Sequence, residues 1–74
     1  MLELMRTNDA VVLSLARSVL DEAGILATVA DGHMSVLEGS IGMFARRLMV
    51  VRTQEAEARA VLVQAGLGDW LAAP

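Results

Sequence analysis

The spacing of apolar residues changes along this chain, and the changes mark its elements. Leu2 to Met5 has the length and character of a short strand. Thr7, Asn8 and Asp9 follow, each with a side-chain oxygen that can accept the free amide hydrogens of a helix start. From about Asp9 to Ala23 the apolar positions recur every three or four residues. Val12, Leu15, Val19 and Ala23 form a stripe widened by Leu13, Ala16 and Leu20, while Arg17, Asp21 and Glu22 fall on the wet side. Gly24 stands where helices commonly end in a left-handed residue. Ile25 to Ala30 is an apolar, β-branched run bounded by Gly24 and Asp31-Gly32, and predicts a second strand; Arg46 to Val51 predicts a third. Thr53 with Gln54, Glu55 and Glu57 opens a second helix, its acids favoured by the positive N-terminal end. Val61, Leu62 and Ala65 give that helix an apolar face and Gly66 closes it, leaving a tail from residue 67 to 74 that contains Trp70 and Leu71.

The order strand, helix, strand, strand, helix defines one α+β domain spanning residues 1–74, with no linker, repeat or low-complexity segment. A right-handed strand-helix-strand crossover places both helices on one face of a small antiparallel sheet. This is a ferredoxin-like βαββα sandwich without the last strand. The missing strand would lie beside the first, so Leu2 to Met5 becomes an edge with unpaired backbone groups, to be covered by the tail around Trp70 and Leu71 or by another subunit. Strict alternation along the strands puts Leu4, Ile25, Ala27, Val29, Leu48 and Val50 under the helices and turns Met5, Leu26, Met49 and Val51 to the opposite face. An apolar patch of that kind predicts a homo-oligomer through the open sheet face, or a cover supplied by the loop from 31 to 45.

Composition sharpens that expectation. A domain of 74 residues buries only about 60% of the surface its unfolded chain exposes. With no cysteine there is neither a disulfide framework nor a thiolate metal site to support it. At 55% hydrophobic residues and a mean hydropathy of +0.54, self-association is the support that remains. Charged residues interrupt every apolar run before membrane-spanning length, and Glu3 stands where a signal peptide would carry positive charge. A cytoplasmic protein that neither enters nor spans a membrane is expected. Net charge is -3, all six basic residues are arginine, and the aromatic residues are Phe44 and Trp70. A nucleic-acid partner is disfavoured on both counts.

Candidate chemistry concentrates in DGHMSVLEGSIG, residues 31 to 42. His33 with Asp31 and Glu38 offers one imidazole and two carboxylates, too few ligands for a zinc set within one chain; only a metal shared across a symmetric interface would be workable. Gly39-Ser40-Ile41-Gly42 lacks the lysine and the glycine spacing of a phosphate-binding P-loop. Ser35 and Ser40 have no visible orienting base, so no catalytic residues and no cofactor are expected and the chain is read as a non-enzyme. Arg46 and Arg47 are a candidate anion site, since two guanidinium forks can hold a phosphate or carboxylate. Arg6, at the exit of the first strand, is similar. Met34, Val36, Leu37, Ile41, Met43 and Phe44 make the loop more apolar than a hairpin connection needs, as a docking segment or a cap on the core would be.

The segments RTND at 6–9, EAGI at 22–25 and HMSVLEGSIG at 33–42 followed by RRLMVV at 46–51 resemble the bacterial putative signal transducing protein family, a domain of unknown function similar to the PII signalling fold. The likeness runs from Leu2 to about Leu67. It implies a PII-like βαββα domain with the loop between the second and third strands in the place of the PII effector loop, and it imports no nucleotide-binding motif. The expectation is a regulatory interaction module that meets a protein partner through His33, Met34, Ser35, Glu38 and Ser40. The alternative is a sensor that binds a small anion or metal at a subunit interface.

Overall fold

A computed structural model describes residues 1–30 and 45–72 of the chain. Strand β1 (Leu2–Thr7) leads into helix α1 (Ala10–Glu22), then strands β2 (Ala27–Ala30) and β3 (Arg46–Val50), a 3₁₀ turn at Arg52–Gln54, helix α2 (Glu55–Gln64) and a second 3₁₀ turn at Gly68–Trp70. The sheet order is β1-β3-β2, with β3 antiparallel to both neighbours. Both helices pack on the same core, which makes the domain the expected ferredoxin-like α+β arrangement with three strands.

Local chemistry explains the helix ends. Asp9 is the N-cap of α1, its carboxylate accepting the amide hydrogens of Val11 at 2.9 Å and Val12 at 3.1 Å. Thr7 contributes one step earlier, as its hydroxyl accepts the Asp9 amide at 3.0 Å. At the other end, Ile25 N–H donates to the Leu20 carbonyl and Gly24 N–H to that of Asp21; in α2 the same bonds run from Leu67 to Leu62 and from Gly66 to Val63. Gly24 and Gly66 have φ of +77° and +84°, so these are two Schellman closures on the shared pattern Leu-x-x-Ala-Gly-Ile/Leu. The flanking pairs Leu20/Ile25 and Leu62/Leu67 are all buried, so each closure doubles as a core contact.

Several positions differ from the expectations of periodicity. The buried face of α1 is Leu13, Ala16 and Leu20, with Val12 and Val19 at its margin; Leu15 is 48% exposed and Ala23 caps the helix in solvent. Both phases satisfy the helical period in so apolar a segment, and packing against the sheet selects one. Ile25 is buried as part of the α1 closure, so β2 begins at Ala27. In α2 the buried residues are Ala58 and Leu62, while Ala65 is exposed. The helix starts at Glu55, after the 3₁₀ turn that includes Thr53, and no side chain caps it.

The largest departure is in β1. Glu3 pairs with Met49, but the next pair is Met5 with Leu48, so a bulge at Leu4 shifts the register by one residue. Leu4 and Met5 are both fully buried. Met5, expected on the open face, therefore lies in the core opposite Leu48. Outside the bulge, the outer edge of β1 meets the tail. Leu71 bridges to Met5, and the Ala72 amide donates to the Leu4 carbonyl at 2.7 Å. The tail thus stands where the fourth ferredoxin-like strand would run. Arg59 of α2 fastens it, donating through Nη1 to the Ala72 carbonyl at 2.8 Å while its Nε holds Glu55 Oε2 at 3.0 Å. Trp70 is 42% exposed, and the tail is held by Leu67, Leu71 and the Arg59 contact.

Candidate functional site

The sheet register decides which arginines can act together. Leu48 and Val50 are buried toward the helices, so their neighbours Arg47 and Met49 face the other way. Residues directly opposed across a ladder share a face, which places Arg6 beside Arg47 and Ala30 beyond it in one row, and Glu3, Met49 and Thr28 in the next. The bulge is what allows this. Glu3 and Arg6 are three apart and would take opposite faces of a regular strand, yet here they share one and form an ion pair at 3.0 Å.

Arg46 pairs with Thr7, a buried residue, and so falls on the helix side of the sheet. There it lines an open groove of about 810 Å³ between α1 and β2, with Ser14, Arg17 and Asp21 on one wall and Leu26 and Val29 on the other. Arg46 and Arg47 thus face opposite sides and do not form one anion site; the partner that register gives Arg47 is Arg6. Among the residues expected on an open apolar face, Met49 is there and half-buried. Leu26 is 69% exposed but lines the groove beside α1, and Val51 is half-buried just after β3. The open face therefore presents Glu3, Arg6, Arg47 and Thr28 around Met49, a mixed surface and not the continuous apolar patch expected from alternation.

His33, Met34, Ser35, Glu38 and Ser40 lie outside the described residues, as does the rest of the segment 31–44. Its attachment points are defined. Ala30 pairs with Arg47, so the chain leaves β2 and re-enters β3 at the end of the sheet that carries the Arg6–Arg47 row. Among the described residues no group of three His, Asp, Glu or Cys side chains could hold a metal ion, and no helix is long and apolar enough to cross a membrane. Sequence reasoning missed the juxtaposition of Arg6 with Arg47 and the grip of Arg59 on the tail. Both depend on pairing between distant segments, and the only local hint was that each arginine interrupts an apolar or acidic stretch.

An antiparallel three-stranded sheet with two helices on one side defines the class, a small ferredoxin-like α+β domain. Within that class, residues 1–66 match the family described as Putative prokaryotic signal transducing protein, and the chain belongs to it. A search of curated proteins gives no match.

Proposed function

We propose that this domain is a cytoplasmic, non-enzymatic interaction module of a signalling system, and that it engages a protein partner through residues 31–42. The observation that carries the reading is the connection between β2 and β3. These are adjacent antiparallel strands, which a turn of roughly two to five residues can join, yet residues 31–45 separate them. A connection so much longer than closure requires is commonly a functional one, and the family description points in the same direction. His33, Met34, Ser35, Glu38 and Ser40 are the contact residues in this reading, with methionine supplying an adaptable apolar surface.

A photo-reactive amino acid at position 34, introduced in living cells, tests the proposal. The expected result is a discrete cross-linked adduct that disappears when His33, Glu38 and Ser40 are changed together to alanine, with the melting temperature unchanged. An adduct insensitive to those three substitutions, or no adduct at all, would overturn it. A second reading, a sensor of small anions, draws support from the opposed arginines Arg6 and Arg47 at the same end of the sheet.

A further inference from the structure

We propose that Arg6 and Arg47, and not the sequence neighbours Arg46 and Arg47, form a binding site for a phosphate group on the open face of the sheet. The proposal rests on the anion-sensor reading and gives it a site and a ligand class. Arg6 and Arg47 are direct cross-strand partners in the β1–β3 ladder, and both are exposed. Directly opposed side chains start about 4.5–5.5 Å apart at Cβ, so two flexible arginines from such a pair can converge on a single group. Like charges in that relation are destabilising when nothing lies between them. The net charge of -3 shows that the chain has acids available, yet none of the described ones is placed against Arg47. Among the described residues its side chain makes no hydrogen bond or ion pair. Arg6 gives one Nη2 donor to Glu3, which leaves the remaining guanidinium donors for a ligand.

The ligand class follows from charge and geometry. Two guanidinium forks present two positive charges and several parallel N–H donors, and each fork matches a pair of phosphate oxygens. A phosphate monoester carries close to two negative charges at neutral pH and three acceptor oxygens, so it can satisfy both forks at once. A carboxylate carries one charge and two oxygens, and engages only one fork fully. The Thr28 hydroxyl shares the face one row away. Glu3 opposes the ligand electrostatically and competes for Arg6, so binding should be strengthened by its removal.

The test is an amide proton-nitrogen NMR titration at low ionic strength, where exposed charges are least screened, using inorganic phosphate, phenyl phosphate and acetate. The two phosphate probes separate the free ion from a phosphomonoester as the preferred source. The expected result is saturable shifts at Arg6, Arg47 and Thr28 with at least one of the phosphate probes, and acetate weaker by about tenfold or more. Arg47→Gln and Arg6→Gln should each weaken the phosphate probe by about tenfold, Glu3→Gln should strengthen it a few-fold, and Arg46→Gln should leave it within about twofold. Saturable binding that survives Arg47→Gln, or shifts confined to residues 31–44, would overturn this site while leaving the sensor reading standing. Absence of saturable binding by both phosphate probes would overturn the site, and with metals and 2-oxoacids also silent it would overturn the sensor reading; the protein-partner reading is tested separately by the cross-link at position 34.

Discussion

Replacing Arg59 by methionine keeps the aliphatic stem and removes the guanidinium that ties the tail to α2. Two contacts disappear, the hydrogen bond to the Ala72 carbonyl at 2.8 Å and the ion pair with Glu55 at 3.0 Å. A hydrogen bond from a charged donor is worth about 1.5–3 kcal/mol, and the low end suits a partly exposed group. The Glu55 pair is an i,i+4 helix pair, worth about 0.3–0.5 kcal/mol. The expected loss is therefore about 2 kcal/mol, which for a domain of this size lowers the melting temperature by about 10 °C. Urea unfolding of four proteins makes the assignment specific: the full chain and the chain ending at Trp70, each with and without Arg59→Met. Without residues 71–74 the arginine has only Glu55 to hold, so the substitution should cost about 0.5 kcal/mol or less there. The coupling of about 1.5 kcal/mol between Arg59 and the tail is the quantity of interest. Equal costs in the two backgrounds would refute the view that Arg59 closes the β1 edge by fixing the tail against it.

The β1 bulge makes a second prediction: Met5→Ala should cost about 2–3 kcal/mol because Met5 is fully buried, whereas Met49→Ala, on the open face, should cost less than about 1 kcal/mol, as thermal unfolding would show. Equal costs would contradict the register shift at Leu4. Gly24→Ala and Gly66→Ala should each destabilise by about 1 kcal/mol, because a Cβ would meet no atom within 4 Å at either site and the penalty is purely that of a left-handed backbone at φ +77° or +84°. A stabilising Gly24→Ala, measured by urea unfolding, would refute the Schellman assignment.

The candidate site was legible only in part. The two-arginine anion idea came from adjacency in sequence, and adjacency in a strand is the arrangement that sends side chains to opposite faces. Arg47 kept its place as a candidate, Arg46 went to the groove beside α1, and Arg6 took its place because β1 pairs with β3. The apolar face expected from alternation failed for a related reason. One extra residue at Leu4 turned Met5 into the core and brought Glu3 and Arg6 together outside it.

What the sequence by itself determined is what depends on a few neighbouring residues. Element order, a cap for the first helix within Thr7-Asn8-Asp9, the glycine closures of both helices and the ferredoxin-like class all follow from local hydrogen bonding and hydrophobic period, which act within one or two turns of chain. Tertiary structure alone decided the rest. The buried face of α1, with two phases open to an apolar helix, was selected by the sheet beneath it. The bulge in β1 was fixed by β3, and the covering of the β1 edge by Leu71, Ala72 and a hydrogen bond from Arg59, thirteen residues before Ala72. Each of these is a choice between alternatives that cost nearly the same locally, and contacts between segments remote in sequence supply the energy difference that settles it.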